Sequence, residues 1–389
     1  MRLECLAAGA VALALGVATA VLAQDPGFVL QGEGGLVTTL VLDPSSSTTL
    51  YAATARGLFK SADAGATWRQ TGAGLHDHSL LALAVDPLTP SNLYATTDTG
   101  GVFRSTDAGE HWAAANEGIG ARYVGTIAVD PHRAGSVYAG GEAGRVFHST
   151  DGGATWRELA SPTSGVGVTV VAVDPVTPGL VYVGTNSEGI FWSADDGAKW
   201  SRPTGSLSRG TVWNVNFDRA PGSLLVGTHD GLFRSANAGA SWTPSNRGLR
   251  SWNVLSLASD PSAPATIYAG TAAAIYKSAD AGQSWTELQA DLYVSALAID
   301  PRSPSTLYAA THLGVIKSTD GGAKWTALHL AGAPAESQVA APLPKLPIRS
   351  TALPVRGTDR LPPSGAVPPA GAAAKPPLPP LPVVLRPNR

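Results

Sequence analysis

Four carboxylates, Asp98, Glu142, Glu188 and Asp230, recur through the middle of the chain at intervals of a little over forty residues. Paired carboxylates are the chemistry of glycoside hydrolysis. One protonates the leaving oxygen, the other activates water or attacks, and the two stand roughly 5–9.5 Å apart. Glu188 with Asp230 is the candidate catalytic pair. Aromatic residues fall in the neighbouring stretches, at Tyr123, Trp213, Trp252 and Tyr293. A ring face beside carboxylates can stack a sugar and bond its hydroxyls. The same mixture, with Arg56, Arg122, Arg209, Arg250, His229 and His312, equally suits a protein or peptide partner. His76 and His78 offer two metal ligands at loop spacing without a third, so no metal site is expected. A Gly-x-Ser-x-Gly elbow, a His-Glu-x-x-His helix and a phosphate loop are all missing, and no cofactor is expected.

These residues must be positioned by something, and the sequence supplies it as a repeat. An eight-residue pattern, Ser-x-Asp-x-Gly-x-x-Trp, occurs seven times, beginning at Ser61, Ser105, Ser149, Ser193, Ser235, Ser278 and Ser318. The starts lie 44, 44, 44, 42, 43 and 40 residues apart. The acid is Asp63, Asp107, Asp151, Asp195, Asp280 and Asp320, with Asn237 in the fifth copy. Short oxygen-bearing side chains can accept bonds from N–H groups that a tight turn releases, glycine supplies positive φ, and the tryptophan buries a large area against the sheet. The pattern is therefore structural. A period in the low forties with one such corner per unit is the signature of a propeller blade of about four strands.

Each unit opens on a run such as Val124–Val129, apolar at successive positions, as a strand buried on both faces requires. An Asp-Pro pair ends it, as at Asp130-Pro131; Asp218 alone lacks the proline. A second strand, a short hairpin and a third strand lead to the Asp corner, and the tryptophan begins the fourth. Asp corners and Asp-Pro turns then share one face of a radial fold. The second-to-third-strand hairpins and the blade-to-blade linkers share the other. The first face is fixed by the repeat and the second varies, so binding belongs to the second, where all fourteen candidates above fall. Residues 28–34 resemble the fourth-strand stretch that begins at Trp68, which predicts that they pair near the outer edge of the last blade.

The remaining sequence bounds the partners. Charged residues make up 14% of the chain and the net charge is −2, which argues against nucleic acid. Arg2 precedes an apolar run, Leu6 to Leu22, with small residues at Ala18, Ala20 and Ala23, which reads as a signal peptide over residues 1–23 and predicts export to the periplasm or outside the cell. The single cysteine, Cys5, falls inside it, so the exported protein would carry no thiol. Residues 331–389 are proline-rich without apolar periodicity, and read as a disordered tail that serves as a spacer or a docking ligand.

Seven such units over about residues 36–330 resemble the Asp-box, or BNR-repeat, β-propellers. Within that group the layout is similar to the photosystem II assembly and stability factor family, to single propellers of xyloglucanase-type glycoside hydrolases and to sortilin-type receptor propellers. The resemblance implies an all-β, seven-bladed propeller over residues 28–330. Its relatives imply two functions: a non-enzymatic scaffold, acting as a monomer on a protein or peptide such as a membrane-protein assembly, or a glycan-binding protein or hydrolase.

Overall fold

The computed structural model describes residues 37–328, apart from 76–77, 122, 164, 204–206, 208 and 219–221. The residues read as a signal peptide (1–23), the segment 28–34 expected to pair with the last blade, the Pro-rich residues 331–389, His76 and Arg122 lie outside the described residues.

The described residues form a seven-bladed β-propeller. Each blade is an antiparallel sheet whose strands follow chain order, as in the first: Val37–Leu42, Leu50–Thr54, Gly57–Ser61 and Arg69–Thr71. The inner and second strands are almost wholly buried because each sheet is covered on both faces by its neighbours. Seven apolar clusters fill the seven interfaces. One joins blades 1 and 2 through Val41, Tyr51 and Leu83, and the last joins blade 7 back to blade 1 through Ala298, Tyr308, Leu40 and Trp68. The ring is therefore closed by the same packing that holds every other pair of blades.

Six of the first turns are tightened by their own aspartate. The Oδ1 atoms of Asp43, Asp86, Asp130, Asp174, Asp260 and Asp300 each accept the N–H two residues on, at 2.7–2.9 Å, across the proline that cannot donate. In blade 5, where the proline is missing, the Ser223 hydroxyl bonds Asp218 instead (3.1 Å). The Asp corners repeat with equal regularity. In the third, Ser149 donates to Asp151 Oδ1 (2.7 Å) and accepts the Gly153 N–H (2.8 Å), while Thr155 donates its N–H and its hydroxyl to Asp151 (2.9 and 2.6 Å). One further bond ties each corner to the first turn of its own blade, for example Ala64 N–H to Thr48 O (2.8 Å) and Gly152 N–H to Gly135 O (2.8 Å). Both motifs thus lie on one face.

Blade 4 departs from the four-strand expectation. Among the described residues its sheet has three strands, Val168–Val173, Val181–Thr185 and Ile190–Ser193, with isolated bridges from Trp192 to Ser201 and from Glu188 to Gly210 in place of a fourth. The cause is Pro203. In blades 2, 3 and 5 the equivalent Ala115, Leu159 and Ser245 donate an N–H to the third strand (2.8 Å each), and proline has none to give. Blade 7, by contrast, carries its own outer strand, Thr326–Leu328.

Candidate functional site

On the opposite face the chain enters each inner strand and turns between the second and third. A buried threonine ends most second strands and caps the hairpin: Thr54 Oγ1 donates to Gly57 O (2.9 Å) and accepts the Arg56 N–H (3.1 Å), and Thr228 does the same for Gly231 and Asp230. With the hairpin backbone satisfied, the side chains beside it can vary. Each hairpin is also tied to the linker that enters its own blade. The N–H groups of Asp98, Glu142, Asn186, His229, Ala272 and His312 donate to the carbonyls of Ser79, Tyr123, Gly167, Thr211, Asn253 and Tyr293 (3.1–3.2 Å). These twelve residues mark one level around the mouth of the central channel.

Just inside that level every inner strand slips register by one residue, at Thr38, Leu81, Gly125, Thr169, Trp213, Leu255 and Ser295. Where the bulged residue has a hydroxyl it reaches the next blade. Thr38 bonds Leu80 O (3.0 Å), Thr169 bonds Val212 O, and Ser295 bonds Val37 O (2.8 Å). Bulges re-aim side chains in this way at rims and sites.

The predicted residues distribute unevenly over this frame. Asp98 and Glu142 stand at the mouth level on adjacent hairpins. Tyr123 lies across Gly125, where any Cβ would meet its ring at 2.9 Å, and its phenol is pushed up by burial and then by the Asp98 carboxylate. Glu188 and Asp230 sit beyond the mouth level, two residues and one residue further along their hairpins than Asn186 and His229. Glu188 is half-buried, its N–H held by Thr185 Oγ1 (2.9 Å) and its carbonyl by Arg202 (3.1 Å). Asp230 is exposed and bonded to His229 (3.0 Å). None of the hydrogen bonds or ion pairs of the described residues joins two of the four carboxylates. Arg56, Arg209 and Arg250 are exposed on the same face, as is Trp252 at 58%. Among the described residues no three metal-ligating side chains come together.

Blades 5, 6 and 7 carry a feature that residue type alone did not announce. His312 accepts the Tyr293 N–H at Nδ1 (3.2 Å), which puts its proton on Nε2; that atom is buried without a partner, and burial holds the ring below the ordinary histidine range, hence neutral. Trp213 Nε1 and Asn253 Oδ1 are likewise buried and unpartnered. Two donors and an acceptor thus go unpartnered on three consecutive blades. Asn253 was not singled out by its residue type, yet it lies two residues before its bulge, as Tyr123 and Tyr293 do before theirs. That alignment would have found it.

A family model described as the DUF6242 beta propeller domain matches residues 223–362, from the second strand of blade 5 onward. No curated protein matches the chain. Among solved structures it is similar to the GH74 xyloglucanase from Xanthomonas campestris, at 21% identity and a TM-score of 0.64, over 76% of this chain and 53% of that one. The Niastella koreensis GH74 enzyme gives 19% and 0.64, over 77% and 54%. The chain thus spans about half the length of these enzymes. It is also similar to YCF48 bound to D1 peptide, at 14% and 0.54, over 75% of this chain and 95% of that one, and to YCF48 from Cyanidioschyzon merolae, at 13% and 0.57. At these identities the likeness is one of fold, and the fold is that of a seven-bladed β-propeller.

Proposed function

We propose that this chain is an exported, non-catalytic propeller whose channel-mouth face binds an extended peptide segment of a partner protein, in the assembly of a membrane or envelope complex. The observation that carries the reading is a run of unpartnered polar atoms on consecutive blades at the mouth, where the Asp corners have none. The serine and aspartate or asparagine of each corner spend their polar groups on their own turn, seven times over. The mouth leaves Trp213 Nε1, Asn253 Oδ1 and His312 Nε2 buried without partners on consecutive blades. Buried polar atoms are costly unless bonded, and an extended peptide offers alternating carbonyls and N–H groups to such a set. A YCF48 propeller holding a peptide supports the capacity of the fold for this kind of ligand. The apolar run in the leader supports export.

The second reading, a glycan ligand or a weak glycoside hydrolase, is favoured by Asp98 and Tyr123 at the mouth level of adjacent blades and by the likeness to part of the GH74 enzymes. One experiment separates the two. A displayed peptide library is selected on the full chain, and the purified protein is assayed on a glycan array and on chromogenic glycosides. We expect a peptide consensus whose binding falls about tenfold in Asn253→Ala or Trp213→Phe, with silence on both sugar assays. Turnover abolished by Glu188→Gln or Asp230→Asn would overturn the peptide reading.

A further inference from the structure

The repeat allows one blade interface to be compared with the next, position by position. Between blades 1 and 2, Lys60 on the third strand pairs across the ladder with Arg69 on the outer strand. Glu110, which follows the corner glycine of blade 2, lies against both. Its Oε1 takes the Lys60 ammonium (3.0 Å), and its Oε2 takes Arg69 Nη1 (2.9 Å) and the Thr71 hydroxyl (3.1 Å). Between blades 2 and 3 the counterparts are Arg104 for Lys60, Ala113 for Arg69, Ala115 for Thr71 and Ala154 for Glu110. Three of the four side chains that fill the first interface are cut to alanine in the second. The fourth is a cation without its carboxylate.

The consequence is a groove of about 500 Å³, lined by Arg104, Trp112, Ala113, Ala115, Ala154 and Glu117 among others. Other interfaces close this space with leucine at the Ala115 position: Leu159, Leu288 and Leu328 pack on the corner glycines Gly197, Gly322 and Gly65. The guanidinium of Arg104 lies on Gly152, where a Cβ would stand 3.3 Å from Cζ and both terminal nitrogens. Its Nε is buried without a partner, as is the hydroxyl of Tyr94, and no described residue gives Arg104 a hydrogen bond or ion pair. Asp107, nearby, is already engaged by its own corner and by His111 Nδ1 (2.7 Å).

We propose that this groove is a second ligand site, on the opposite face from the channel mouth, which takes a carboxylate onto Arg104 in the place that Glu110 occupies one interface earlier. Glu110 shows the chemistry: hydrogen bonds from Arg69, then Lys60, hold its carboxyl down to about 2. The carboxylate comes from the acidic side chain of a bound peptide or from a free small acid, and the groove is larger than a lone carboxylate needs. The site is independent of what the mouth binds.

The test titrates the full chain, followed by the Trp112 indole resonance, with N-acetylglutamate methylamide, with its glutamine isostere and with glutarate. We expect roughly millimolar binding of the glutamate probe and about tenfold weaker binding of the glutamine one, the difference between a charged and a neutral partner for arginine. Arg104→Met and Ala154→Glu each abolish it, and Ala154→Glu also raises the Tm by supplying the missing carboxylate from within. Tighter binding of the blocked residue than of glutarate assigns the site to peptide, and the reverse assigns it to a free acid. Equal binding of the glutamate and glutamine probes, or unchanged affinity in folded Ala154→Glu, overturns the proposal. If Arg104→Met does not fold, the second variant decides alone.

Discussion

Asn237, the one corner residue of the seven that cannot ionise, shows how much of the corner depends on charge. Its Oδ1 accepts the Ser235 hydroxyl (3.0 Å) and the Ser241 N–H (2.9 Å), as an aspartate would, and its amide donates to the Ser241 hydroxyl (2.9 Å). In the third corner the direction of the last bond is reversed, with Thr155 donating to Asp151. Asp151→Asn should therefore leave the turn intact, whereas Asp151→Ala strips the Thr155 N–H and the Ser149 hydroxyl of their acceptor and costs about 1 kcal/mol in denaturant unfolding. The two substitutions also differ from wild type in acid. Hydrogen bonds from Thr155 and Ser284 bring Asp151 and Asp280 down to about 2. A lowered folded value gives stability that is fully present above the ordinary carboxylate range and is lost as pH falls toward 2. Asp151→Asn should flatten the decline of Tm between about pH 4 and 2, and an unchanged slope would contradict this. Backbone strain at the corner is a separate quantity. The residue before the corner glycine is left-handed in every copy, alanine in four, aspartate in one and glycine at Gly152 and Gly321. At Gly321 a Cβ would meet only Lys277 Nζ and the Tyr268 hydroxyl, each at 3.5 Å. Gly321→Ala should thus cost about 1 kcal/mol from the dihedral angle alone.

Between neighbouring blades the recurring device is a tyrosine on the second strand with a long side chain beside it on the third. Lys60, Lys277 and Lys317 lie 5.3–5.4 Å over the rings of Tyr51, Tyr268 and Tyr308, and both members of each pair reach a corner carbonyl of the next blade. In blade 3 that place is taken by His148, stacked on Tyr138 at 4.1 Å and bonded to Ser136 (3.0 Å). Burial holds His148 below the ordinary histidine range. Arg133 and Arg157 push the same way, while Asp196 and Asp130 oppose them. A histidine lowered on folding contributes stability that is present above the unfolded value near 6.5 and is lost as pH falls below it. The Tm should drop between about pH 7 and 5, and His148→Gln should remove that part of the drop; a drop of the same size in the variant refutes the assignment. The repeat itself was legible from its corners, because Ser, Asp, Gly and Trp at fixed spacing admit one turn geometry. The missing strand of blade 4 was legible in principle at Pro203. The bonds from these Tyr–Lys pairs to a corner carbonyl were not, since they join residues of different blades, and neither was the groove at Arg104, which consists of side chains that are too small. At the mouth the sequence grouped the hairpins with the linkers, and the structure ties them together at one level. Which residues stand level with one another depends on the bulges, and a one-residue slip leaves no mark in composition.

For the whole ring, the question is whether the seventh interface equals the other six or is a weak seam. The bonds argue for equality. Tyr308 and Lys317 of blade 7 reach Ala64 O of blade 1 at 3.1 and 2.9 Å, as Tyr51 and Lys60 reach Ala108 O at 3.0 and 2.8 Å. The Ser295 hydroxyl bonds Val37 O and the Ser47 hydroxyl bonds Asp300, so closure is also made at the channel and at the Asp-Pro turns. Tyr308→Phe and Tyr51→Phe should therefore cost the same, about 1 kcal/mol each. An open stack of identical sheets could lose a terminal unit and keep the rest, because each unit touches only its neighbours. Here the removal of residues 294–328 would expose the buried flanks of both blade 6 and blade 1, including Tyr268, Ile275, Leu40 and Trp68. The variant is expected to show no cooperative calorimetric transition. A six-bladed product that melts cooperatively would mean that each sheet is stable on its own account, and that closure serves only to shape the channel.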